Sequence, residues 1–168
     1  MIRFFASIWL RNIYPIWNAI PSAIQAWLSS DVRSKGELVL ENLAAIAPNW
    51  ESVEAKMRDM GFKWNEDPVF GLLDFHQRPW VTAATGRGDC DDWAHVWKEL
   101  AKPYGDVSVF VAKGKGRGWH MMTILDDGVT AHLFSNLRHV RSTNSRNRKA
   151  LENTFYGYDK TSYIVYLR

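Results

Sequence analysis

Cys90 is the only cysteine among the 168 residues, and it stands in the run GRGDCDDWA, residues 86–94. A thiol in the first turn of a helix faces unpaired amide N–H groups and the positive end of the helix dipole. Both lower its pKa and favour the nucleophilic thiolate. The same amides are placed to hold an oxyanion. Asp89, Asp91 and Asp92 act against this, because neighbouring carboxylates disfavour another negative charge. An imidazolium, a metal ion or outward-pointing side chains would offset them. A nucleophilic cysteine also needs a base, and the base needs an orienting group. His120 is the candidate base, placed directly after the connector KGKGRG (113–118) at the start of a strand.

Three residues on the next strand compete to orient His120. A two-residue turn at Asp127 and Gly128 would pair 126 with 129 and set Ser135 opposite His120. One further loop residue would bring Asn136 opposite instead, and His132 is the remaining candidate. Strand alternation forbids Ser135 and Asn136 from both facing His120 unless a bulge intervenes. Asn136 is the expected partner, because its side-chain carbonyl is an acceptor that its own amide bonds can anchor. Gln77 and Trp80, upstream of the cysteine, are candidate oxyanion donors, with core packing the ordinary role of Trp80.

These side chains need a helix and a sheet to carry them. CDDWAHVWKELAK (90–102) has helical spacing, with Asp89 as its N-cap and Pro103 and Gly105 ending it. ELVLENLAAIA (37–47) and WESVEAKMRDM (50–60) predict two further helices, the second capped by Asn49 and stopped by Gly61. Residues 62–88 read as irregular. VSVFVA (107–112), WHMMTIL (119–125), VTAHLFSN (129–136) and SYIVYLR (162–168) read as strands. The polar, basic stretch 137–153 reads as a loop. Helices first and antiparallel strands last predict an α+β fold. The expected organisation is an N-terminal helical segment, 1–60, packing on a core of 61–168.

Composition narrows the function. Hydrophobic residues make up 46% and charged residues 23%, which excludes a largely disordered chain. One cysteine excludes an internal disulfide and argues against a cysteine-based zinc site. A net charge of +3 is too small to call for nucleic acid, and no nucleic-acid partner is expected. The basic positions Arg138, Arg141, Arg146, Arg148 and Lys149 read as a solvated loop. The apolar start, residues 1–30, lacks a signal-peptide pattern and a spanning helix, since Arg11, Pro15 and Pro21 interrupt it. It reads as short amphipathic helices with Trp9, Ile13, Trp17, Ile20, Ile24 and Trp27 on one face. A cytoplasmic protein is expected. A periplasmic protein, or one held at a membrane surface by this segment, is the alternative.

GDCDDWA followed by HMMTILDDGVTAHLFSNL resembles the bacterial transglutaminase-like cysteine proteinase family, within the transglutaminase-like, papain-fold superfamily. The resemblance covers roughly residues 61–140. It implies a papain-like α+β fold and a cysteine peptidase acting on a protein or peptide, with deamidation or transamidation as related outcomes. Cys90 matches the family nucleophile and His120 its base. The family's acidic residue falls on Ser135, where this chain reads FSN in place of the usual Leu-Asp-Asn, and Asn136 matches the family Asn. Such a site needs no cofactor. In one branch of the family acidic residues beside the cysteine bind calcium, and the matching residues are Asp89 and Asp91. His120 and His132 also resemble the NlpC/P60 peptidoglycan peptidases, whose triad ends in a second histidine. A third reading is a binding module that kept the fold after losing its acidic residue.

Overall fold

The structure is a computed structural model that describes residues 30–65, 77–113, 119–147 and 163–167. The amphipathic start and the connector residues 114–118 lie outside the described residues. Helix α1, Ser30–Ala44, starts seven residues before the expected ELVLENLAAIA. Its Gly36 is the reason it packs closely: a Cβ there would overlap the Trp80 carbonyl of another helix. Helix α2, Trp50–Asp59, begins where the Asn49 side chain accepts from the Ser52 amide at 3.1 Å. It ends before Gly61, which adopts φ +75°.

The stretch expected to be irregular holds more structure than its composition suggested. Helix α3, Pro79–Thr85, uses Pro79 at its first turn and Gly86 at φ +67° as its stop. Two-residue strands β1, Lys63–Trp64, and β2, Arg87–Gly88, pair in parallel and lead into the central helix. Helix α4, Cys90–Ala101, follows at once and passes into a 3₁₀ turn at Lys102–Tyr104. Its inward residues Trp93, Ala94, Val96, Trp97, Leu100 and Ala101 are buried.

The rest of the described chain forms one antiparallel sheet in the order β6-β5-β4-β3-β7. The strands are β3, Asp106–Lys113; β4, Trp119–Asp126; β5, Thr130–Ser135; β6, Arg138–Asn144; and β7, Tyr163–Leu167. Strand β6 corrects the reading of 137–153 as loop. It is an edge strand with mostly exposed side chains, so it lacks the apolar alternation that betrays a strand. The helices lie on one face of the sheet. There, Leu43, Trp50, Val53 and Met57 share one core with Trp93, Trp97, Leu125 and Phe134. Thr123 on β4 donates its hydroxyl to the Ala94 carbonyl at 2.6 Å, pinning α4 over the sheet. Phe110, Ala112, Met122, Ile124, Ala131 and Leu133 form a second cluster, which alternation assigns to the opposite face. The architecture is α+β, with helices packed on an antiparallel sheet. No helix among the described residues is long and apolar enough to cross a membrane.

Candidate active site

The start of α4 is tied down by its own acidic residues. Asp89 caps the helix, accepting from the Asp91 amide at 3.2 Å, and Asp92 reaches back to the Asp89 amide at 3.3 Å. Together they complete a capping box. The Asp92 amide is taken by the Asp91 carboxylate at 2.9 Å. The first-turn amides expected to hold an oxyanion are therefore engaged at Asp91 and Asp92.

Asp92 is fully buried. Its carboxylate also accepts from the Gln77 amide at 2.7 Å and from Gln77 Nε2 at 2.9 Å. Gln77 is thus held two residues from Cys90 in the helix. One of its two side-chain N–H groups is used, and the other is left for a second partner. Gly88 makes this possible, because a Cβ there would meet Asp92 Cβ at 2.6 Å and Oδ2 at 2.7 Å. The Gly88 carbonyl accepts from Trp93 Nε1 at 2.8 Å. Trp80, the other oxyanion candidate, belongs to α3, where its backbone packs against Gly36. Asp89, Asp91 and Asp92 each bring a carboxylate oxygen within 4.8 Å of the others.

Cys90 is partly exposed and packs against the cluster of Ala94, Val109, Val111 and Met121. His120 stands opposite Ala112 in the β3–β4 ladder, one rung from its end. Cysteine and histidine are thereby brought to the same end of the sheet. Alternation gives His120 the face of Met122 and Ser135, while Met121 beneath the cysteine takes the helix face.

His120 Nε2 meets Ser135 Oγ at 2.7 Å. The expected preference for Asn136 is corrected here, and the register explains why. Asp126 pairs with Ala131, and the Asp127 amide donates to the Thr130 carbonyl, so the hairpin tip is Gly128–Val129 rather than Asp127–Gly128. The ladder slides by two residues. A two-residue slide preserves the face, so Ser135 becomes a diagonal neighbour of His120 and still reaches it. Asn136 leaves the strand at φ +49°. Its carbonyl accepts from Trp97 Nε1 at 2.7 Å, and its buried Oδ1 has no hydrogen-bond partner among the described residues.

Burial lowers the His120 pKa from its ordinary 6.5 to about 4, so the imidazole is neutral at pH 7. His132, the candidate third member of a Cys-His-His site, has no hydrogen bond to His120 among the described contacts. It pairs with Leu125, on the face opposite His120, and its ring nitrogens meet Ser142, His139 and Asp127.

No protein-family profile matches this chain, and no curated protein matches it. Among solved structures it is similar to Legionella pneumophila LapG. The EGTA-treated form is 17% identical, with a TM-score of 0.45 over 76% of this chain and 74% of that one. A second form is 16% identical with a TM-score of 0.43, covering 76% of each chain. The calcium-bound form is 15% identical with a TM-score of 0.43 and the same coverage.

Proposed function

We propose that this protein is a thiol-dependent amide hydrolase or acyl transferase, in first preference a cysteine peptidase acting on a protein or peptide. The observation that carries the reading is the His120–Ser135 contact of 2.7 Å at the sheet end where α4 begins with Cys90. In the tautomer with the proton on Nε2, Ser135 Oγ accepts the hydrogen bond and Nδ1 is the basic lone pair. In this reading the imidazole would have to approach the thiol around the last rungs of the β3–β4 ladder. Cys90 gives its proton to Nδ1 as sulfur bonds to the carbonyl carbon. The amide C–N bond then breaks as the imidazolium returns the proton to the leaving nitrogen. Water, or an amine in transamidation, cleaves the thioester. Gln77, fixed by Asp92, is the candidate donor to the oxyanion. Asp89 and Asp91 would each present a carboxylate oxygen to calcium, which would offset negative charge beside the sulfur.

The competing reading is a binding module. It is favoured by the hydroxyl that stands where a carboxylate would stabilise an imidazolium, and by the opposite faces assigned to His120 and Met121. Iodoacetamide labelling across pH, with and without calcium, decides between the two, because Cys90 is the sole thiol. Wild-type protein should label at pH 7 at least roughly tenfold faster than His120→Ala, as general-base assistance predicts. Equal rates would establish the binding module.

A further inference from the structure

We propose that His132, His139 and Ser142 form a binding site for a divalent transition-metal ion of the zinc class, separate from the cysteine site. The three residues come from the β5–β6 hairpin. His132 pairs with Ser142, while Phe134 pairs with His139 and Leu133 with Arg141. The register shift leaves Val140 as an extra residue in β6. In a regular strand His139 and Ser142, three positions apart, would face opposite sides. The bulge turns both to the face of His132.

The result is a converging triangle. His132 Nδ1 lies 3.3 Å from His139 Nε2. Ser142 Oγ lies 2.9 Å from His132 Nδ1 and 3.0 Å from His139 Nε2. The outer nitrogens face carboxylates: His139 Nδ1 is 3.3 Å from Glu51 Oε1, and His132 Nε2 is 3.8 Å from Asp127 Oδ2. The His132 ring is held edge-on by Trp50 and stacks on Phe134.

The count of protons points to a cation. A neutral imidazole carries one N–H, and an ionised carboxylate only accepts. Glu51, 3.3 Å from His139 Nδ1, favours the proton on that outer nitrogen and leaves His139 Nε2 as an inward lone pair. With the His132 proton on Nε2, the two inner nitrogens, 3.3 Å apart, both turn lone pairs inward. One hydroxyl proton, that of Ser142, lies between them and can serve one of the two. A metal ion bound by both lone pairs would engage the two inner nitrogens and the Ser142 oxygen together.

Dimensions agree with this. Two nitrogens on one tetrahedral zinc, each at about 2.0–2.1 Å, stand about 3.3–3.4 Å apart. Carboxylates on the far nitrogens are the usual partners of metal-binding imidazoles. Imidazole donors select zinc, cobalt, nickel or copper over calcium or magnesium. The Ser142 oxygen and water would complete the coordination.

The test is titration of the full chain with Co²⁺ and Zn²⁺, following cobalt visible absorption and the imidazole ¹⁵N signals. Wild-type protein and Cys90→Ser should both bind a single Co²⁺ with a tetrahedral spectrum. Zn²⁺ should move the His132 Nδ1 and His139 Nε2 resonances of the unmutated protein. His132→Asn and His139→Asn should abolish binding, and Glu51→Gln, at an exposed side chain, should weaken it roughly tenfold. The NMR and Glu51→Gln measurements decide if a histidine variant does not fold. Absence of binding, undiminished affinity in both folded histidine variants, or zinc-dependent shifts confined to other histidines would overturn the proposal.

Discussion

At the residue scale, the contact between His120 and Ser135 governs what the site can do. A hydroxyl, donor and acceptor alike, holds the imidazole ring in place but does not stabilise its charged form as a carboxylate does. Ser135→Ala should therefore slow iodoacetamide labelling of Cys90 severalfold, whereas Ser135→Asp should raise the His120 pKa and accelerate labelling. Asn136→Ala should leave labelling near wild type once folding is intact, because Asn136 contributes its backbone carbonyl to Trp97. A damaging Asn136→Ala beside a silent Ser135→Ala would reverse this assignment. His120 also links acidity to stability. Its folded pKa of about 4 lies below the unfolded 6.5, so the unfolded chain binds the extra proton between these values. Stability is full above pH 6.5 and falls as the pH drops towards 4, by at most about 3 kcal/mol from this residue. Denaturant unfolding of wild type and His120→Gln at pH 7 and pH 4.5 should show a fall about 2 kcal/mol smaller in the variant. Equal falls would show that His120 does not carry the dependence.

At the element scale, the start of α4 relies on a missing side chain. Gly88→Ala would push a methyl group into Asp92, loosening the capping box and the Gln77 tether together. Such overpacking costs about 1–3 kcal/mol. Thermal unfolding should register that loss, and Cys90 labelling should change with it; an unchanged melting temperature would mean that Asp92 moves aside freely. The sequence made α4 plain, because its apolar residues recur with helical spacing behind an acidic cap. Strands β3, β4 and β5 were equally legible from their β-branched and apolar content. Strand β6 was not, since five of its seven residues, Arg138 and Arg141 among them, are exposed and give no apolar alternation. Helix α3 was hidden by its seven residues, although Pro79 and Gly86 mark its two ends. For the candidate site, the residue types at 90, 120 and 135 could be named from the chain, but the partner of His120 turned on a two-residue slide in register. The approach of His132 to His139 turned on a bulge at Val140. Neither event is written in an apolar pattern.

At the scale of the whole molecule, helices and sheet are joined by one aromatic core. Trp50 of α2 contacts Trp97 of α4, Phe134 of β5 and Tyr104 of the 3₁₀ turn, with ring centroids 6.4, 5.2 and 5.6 Å away. The described helices and sheet should consequently unfold together. Far-UV and near-UV circular dichroism should give coincident denaturation curves in wild type. Trp50→Ala should lower stability by about 3–5 kcal/mol without separating them. Separate transitions would divide the molecule into independent parts. Cys90, partly exposed at the start of α4, has a consequence in oxidation chemistry. A sulfenic acid formed there meets no second thiol among the 168 residues, so no internal disulfide can trap it at the reversible stage. Its rescue depends on a small thiol arriving from solution before further oxygen is added, which couples the life of the nucleophile to the reducing power of its surroundings.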